Sequence, residues 1–388
     1  MVRGGDTVTY DLLVSGGTLV DPAQGINARK DVAFTDGTVA AVEDVIPSAL
    51  ACEVVDATDR VVVPGMIDLH VHVFWGVSHY GIEPDPHCIA KGVTTAVDAG
   101  TAGADTFPGF RKYVIEVSDT RLYAQLNISS QGMISKEVGE LDDIKWANVN
   151  RAVEVLSQNR DLLLGVKVRL SKNTIVSGDA GIRPLHLARE AADAVGLPIM
   201  VHPQDAWCDS LDEILAVMGD RDILTHCFHG NPRCGILNDK GRVRRSVHAA
   251  MERGVVFDVG HGEGSFSWDV ADRALAEGVL PQTISSDLHI YNVDGPVFDL
   301  ATTVSKFLHL GLSLDEAVAK VTATPAEVIG MEGKIGTLKV GAWGDLVVFD
   351  LQEGKFDFSD VRGEVRQGGQ KVVPLTIVKG GSVYKTGP

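Results

Sequence analysis

Met66-Ile67-Asp68-Leu69-His70-Val71-His72-Val73 is the most telling segment of the chain. Its apolar residues make a short buried strand, and because side chains alternate along a strand, the two histidines share one face. Two imidazoles on one rigid element suit a metal ion, although the same spacing also serves ordinary hydrogen-bonding histidines. The strand is the first of a series. Apolar runs at 93–99, 121–129, 163–170, 198–202, 223–227, 255–259 and 283–288 repeat the pattern, and stretches between them, such as 185–194, 211–218 and 243–253, carry helical periodicity. Eight βα units predict an α/β chain with a (β/α)8 TIM barrel over residues 65–334, in preference to an open doubly wound sheet.

Outside that region the rhythm changes. Residues 10–14, 32–34 and 61–63 are short β-branched runs set off by turn signals such as Gly16-Gly17 and Asp36-Gly37, and 345–350 and 372–378 behave alike. Chain ends often lie together and edge strands need covering, so 1–64 and 335–388 are expected to form one composite β-sandwich.

At 388 residues the chain exceeds the roughly 250–300 at which a single core stops growing, which suits a large domain beside a small one. A net charge of −17 leaves no general basic footprint for a phosphate backbone, so nucleic acid is not an expected partner. The five cysteines are scattered and have no C-x-x-C spacing, so no disulfide framework is expected. Residues 1–15 lack the apolar core of a secretory signal, and no apolar run approaches the ~20 residues of a membrane span. On these features a cytoplasmic protein with no membrane partner is expected.

Functional groups of such a barrel belong at the C-terminal ends of its strands. His70 and His72 end the first strand, His202 the fifth, His226 the sixth and Asp287 the eighth, all after apolar runs. Neutral imidazole and carboxylate are what zinc and similar metals prefer. Lys167 stands inside Leu164-Gly165-Val166-Lys167-Val168-Arg169-Leu170, where an unpaired ammonium is costly. Either a salt bridge satisfies it, or burial depresses its pKa until the amine adds CO2 and the carbamate becomes an anionic metal ligand. Arg169 shares the inward face of that strand and has two readings, a clamp for a substrate carboxylate or an ion pair. His229 and His261, at the mouths of strands six and seven, are candidate substrate contacts or structural hydrogen bonders. The loops 74–80 and 100–104 are expected to border a modest pocket with an aromatic wall.

The ordered set, His-x-His on strand one, Lys on four, His on five, His on six and Asp on eight, resembles the binuclear metal subtype of the amidohydrolase superfamily. The run Val63-Pro64-Gly65-Met66-Ile67-Asp68-Leu69-His70 resembles that superfamily's entry into the barrel. Thr324-Pro325-Ala326, Gly333-Lys334-Ile335-Gly336 and Gly341-Ala342-Trp343-Gly344-Asp345-Leu346 resemble its exit. The resemblance implies two divalent metal ions, zinc by default. His70, His72 and Asp287 would hold one, His202 and His226 the other, with a CO2-derived carboxylate on Lys167 and a hydroxide between them. Asp287 would serve as general base and then general acid; a single-metal variant with unmodified Lys167 stays open.

Among the branches, the chain looks like the dihydroorotase-like or cyclic amidohydrolases. Dihydroorotases carry an arginine two residues after the second histidine, and here that residue is Phe74. The expected activity is therefore hydrolysis of a small amide or ester, an N-acyl amino acid or acylated hydroxy acid with a free carboxylate, by a deacetylase or acyl esterase. A cyclic amidohydrolase of dihydroorotase or hydantoinase type is the alternative. A non-catalytic scaffold on the same fold is a reading of another class. The partner is a small-molecule substrate, with a homo-oligomer left open.

Overall fold

Seven of the eight expected barrel strands form one all-parallel sheet in sequence order: Met66–Val71, Val93–Gly103, Arg121–Asn127, Leu163–Arg169, Ile199–His202, Ile223–Leu224 and Val256–Phe257. They come from a computed structural model that describes residues 10–172 and 175–385. The first nine and last three residues of the expected sandwich, and most of the stretch read as lacking a secretory signal, lie outside the described residues. Nearly every residue of the seven strands is buried, as a parallel sheet covered on both faces requires.

The eighth strand differs from expectation. Residues 283–288 are not regular strand, yet they close the ring through parallel bridges Asp258 to Thr283 on one side and Val71 to Leu288 on the other. Val259 N donates to Thr283 O at 3.1 Å, and His72 N to Leu288 O at 2.9 Å. The ladder is irregular because Asp68 Oδ1 takes the Ser286 N–H at 3.0 Å, and because Asp287 turns the backbone to φ 50°. Strand six stops short of its expected end for a like reason, with His226 at φ 61°. Helices fall close to where periodicity placed them, at Arg183–Val195, Leu211–Val217 and Arg245–Glu252. The second begins at a capping box of Ser210 and Glu213, which satisfies its first free N–H groups.

Two further sheets lie outside the barrel, one built from N-terminal strands alone and one in which the two chain ends meet. Thr38–Glu43, Asp31–Thr35, Tyr10–Ser15 and Ala51–Asp56 make one, in that order. Ser382–Val383, Val365–Lys379, Leu346–Ser359, Val61–Pro64, Thr18–Asp21 and Ile26–Arg29 make the other. Leu12, Val14, Leu19, Phe34, Val62, Leu346 and Val378 are among the apolar residues buried together there. The hairpin of Leu346–Ser359 with Val365–Lys379 is longer than its apolar ends suggest, because its middle, Gln352-Glu353-Gly354-Lys355, is polar. It leans on the barrel at Lys306, a fully buried lysine that donates to Ser359 O and Pro296 O, each at 2.8 Å. Among the described residues no helix is long and apolar enough to cross a membrane.

Candidate metal centre

His70, His72, Lys167, His202, His226 and Asp287 all line one cavity of about 190 Å³ at the barrel mouth. Each imidazole is pinned through one ring nitrogen. His70 Nδ1 lies 2.8 Å from Thr225 Oγ1, whose proton goes to Asp258 Oδ2 at 2.9 Å. His72 Nδ1 lies 2.8 Å from Thr101 Oγ1, and the Thr101 backbone N–H donates to Asp98 Oδ1 at 2.7 Å. The Thr225 hydroxyl, its proton committed to a carboxylate, can only accept from the ring, so His70 Nδ1 carries hydrogen and its Nε2 presents a lone pair; His72, whose Nδ1 faces Thr101 Oγ1 in the same way, is assigned the same tautomer. His226 Nδ1 donates to Gly260 O at 2.7 Å. His202 is turned round: its Nε2 donates to Ser171 Oγ at 3.0 Å, while that hydroxyl donates to Gln204 O, which leaves Nδ1 open.

Burial drives all four rings well below the ordinary 6.5, His226 to about 3, so all are neutral at pH 7. Asp287 Oδ1 stands 3.2 Å from His70 Nε2 and 3.1 Å from His72 Nε2, and among the described residues no hydrogen-bond donor reaches it. Three lone-pair atoms thus face one another with no proton among them. A cation resolves that repulsion, and two imidazoles with a carboxylate are a donor set that divalent metals accept. His226 and Asp287 both hold left-handed backbone, strain of the kind found at functional sites.

Lys167 is fully buried, and burial lowers its amine to about 7. Of the two readings open for it, the salt bridge is not found: among the described residues its Nζ has His70 Nε2 and Met200 Sδ, each at 3.4 Å. Three rings crowd the cavity beside it, with centroids 5.0 Å apart for His70 and His226 and 4.5 Å apart for His226 and His202. Gly100 makes room for the lysine stem, since a Cβ there would collide with that of Lys167.

Arg169 also reaches the cavity, but as an ion pair, its Nη1 2.8 Å from Glu140 Oε1 and its Nη2 3.3 Å from Tyr80 Oη. His229 and His261, read as either substrate contacts or structural hydrogen bonders, are not among the residues lining the cavity. His229 Nε2 donates to Cys234 O at 3.0 Å and its Nδ1 accepts from Asn231 N, so the ring closes its own loop. His261 stacks on Phe266 and accepts from Lys306 at 2.8 Å. Phe74, expected in the pocket loop, packs against Phe110 in the core, while His79 and Tyr80 of that loop do face cavities. Sequence reasoning missed Asp98 and Asp258, whose signal was the one that exposed Lys167: a charged residue inside an apolar strand. It also missed His289 and Gln204, which share the cavity wall.

A sequence model described as the amidohydrolase family matches residues 61–383. A deacetylase of Agrobacterium fabrum is 38% identical, over 85% of this chain and 80% of that protein. A deacetylase of Enterococcus faecalis is 36% identical, over 97% of this chain and 99% of its own length. A solved structure described as an adenine deaminase superposes with TM-score 0.89 at 35% identity, covering 97% of this chain and 100% of that one. Another, described as a dihydroorotase, gives 0.86 at 35% identity, covering 96% and 97%.

Proposed function

Because the chain belongs to the amidohydrolase family, we propose that it is a two-metal deacylase, which removes a small acyl group from an amino acid or hydroxy acid that keeps a free carboxylate. The observation that carries this is the protonless meeting of His70 Nε2, His72 Nε2 and Asp287 Oδ1, in a cavity whose volume of about 190 Å³ suits an acetyl-sized group. The deacetylase names of the relatives support the same reading. His70, His72 and Asp287 would hold one ion and His202 and His226 a second, with zinc the metal proposed and Lys167, carboxylated by CO2, joining the two. When bound, such cations polarise the acyl carbonyl and lower the pKa of the attacking water toward about 7.

The chain's own residues do the rest. Asp287 accepts the proton of the attacking water at its carboxylate and returns it to the leaving nitrogen or oxygen, so that the amine or alcohol departs neutral. Thr225, backed by Asp258, and Thr101 hold the two strand-one rings in the tautomer that the site needs. Arg169 and Tyr80 stand where the departing half of the substrate would lie. The division into 1–64 with 335–388 and 65–334 is retained as part of this proposal, supported by the six-stranded sheet that mixes strands of both chain ends.

Ring opening of a cyclic amide is the second reading, favoured by the likeness to the dihydroorotase structure. N-acetyl amino acids, acetylated 2-hydroxy acids and cyclic amides, each assayed with and without chelator, separate the two. Chelator-sensitive release of acetate is expected; ring opening without acetate release would replace the deacylase reading with the cyclic one.

A further inference from the structure

Beyond the metal cavity lies a second, larger one of about 480 Å³, and the two share Tyr80 and Arg169 as a common wall. A substrate whose scissile group occupies the inner cavity therefore extends past these two side chains into the outer one. The outer chamber is built by clipping two loops together. Ser78 Oγ donates to Met133 O at 2.6 Å, and His79 N donates to Ile134 O at 3.2 Å, so the first-strand loop is fastened to the loop after strand three. From that second loop Lys136 projects into the chamber.

The two cations of the chamber differ in what they have left to offer. Arg169 is already neutralised by Glu140 at 2.8 Å, and Glu140 also accepts from Asn127 Nδ2 at 3.1 Å, so this pair is held inside a network. Lys136 has no carboxylate partner among the described residues; its Nζ rests over the Tyr291 ring, 4.6 Å from the centroid. A cation held by an aromatic face keeps its N–H donors for an anion. His79, which also lines the chamber, is lowered to about 4 by burial first and then by the charges of Arg169 and Lys136, so it adds no charge at pH 7.

We infer that the outer chamber is the subsite for the leaving group's carboxylate, with Lys136 as its charge partner and Arg169 and Tyr80 as the wall that orients it. The identity of the scissile bond rests on the deacylase reading, and the position of the anion on the two joined cavities. The acidic half of the substrate thus falls to a lysine supplied by a loop, where the strand-borne arginine is already paired.

A panel of N-acetyl amino acids is compared with the matching N-acetyl amino acid amides, which differ only in the distal charge. Turnover is measured on metal-loaded enzyme, and binding by calorimetry, for the wild-type chain, Lys136→Gln and Lys136→Arg. The wild-type chain should favour carboxylates over amides in KM and in Kd. Lys136→Gln should shrink that preference by about tenfold to a hundredfold, the worth of one charge-assisted hydrogen bond, and Lys136→Arg should restore most of it. A preference that survives Lys136→Gln, or is absent from the wild-type chain, overturns the subsite. Carboxylate-selective, Lys136-dependent binding without hydrolysis would uphold the subsite and remove the deacylase reading instead.

Discussion

At the scale of single residues, the proposed centre is set by what stands behind each candidate ligand. Thr225 is neither charged nor aromatic, yet its hydroxyl fixes the His70 tautomer because Asp258 already takes its proton, as it also takes those of Thr283 and Ser285. Thr225→Val keeps the shape and removes the acceptor. Its expected effect is a fall in metal affinity of about 10–100-fold, measured by titrating the metal-free protein with zinc, with little change in circular dichroism. Unchanged affinity would mean that the His70 ring is oriented by packing alone. The six ligand candidates were legible because imidazole, amine and carboxylate are conspicuous after apolar runs. Asp98 and Asp258 were not, since a carboxylate one step behind a ligand leaves the same trace as one that pairs with a lysine. His229 and His261 sit at the strand ends where ligands belong, but the turn of each loop sends the ring elsewhere, and that direction is not written in strand periodicity.

At the scale of elements, the C-terminal hairpin is locked to the barrel by one carboxylate. Asp345 pairs with Arg121 on the third barrel strand and with Lys379 at 3.2 Å, while Lys379 also donates to Thr94 O at 2.9 Å. Burial opposes the charge of Asp345, but Lys379 and Arg121 outweigh it and hold the carboxyl below its ordinary 3.8. A depressed acid stabilises the folded chain above its unfolded pKa and loses that contribution as pH falls through the folded one. Asp345→Asn leaves two half-buried cations facing an amide, so it should cost about 3 kcal/mol at pH 7. The gap from wild type should narrow as pH drops below 3.8, as read by denaturant titration at several pH values. A gap independent of pH would show that the pair contributes through packing alone. The hairpin's full length was hidden from sequence by its polar middle, and the eighth strand was visible as an apolar run although its ladder is broken by Asp68 and by the turn at Asp287.

At the scale of the molecule, fold class and site could be read together because the barrel makes one depend on the other. Eight βα repeats carry strand ends to one mouth, and the closing bridges at Thr283 and Leu288 bring Asp287 against the strand-one histidines it is distant from in sequence. The pairing of the chain ends was legible from their shared β-rich composition; the strand order within the two sheets was not, since short β-branched runs do not name their neighbours. Everything proposed for the chemistry depends on this mouth holding two metal ions around Lys167. The decisive quantity is metal content per chain, measured after reconstitution with zinc and bicarbonate. About two ions per wild-type chain are expected. A chain that binds none, or that binds the same number when Lys167 is replaced by Met, would contradict the two-metal centre.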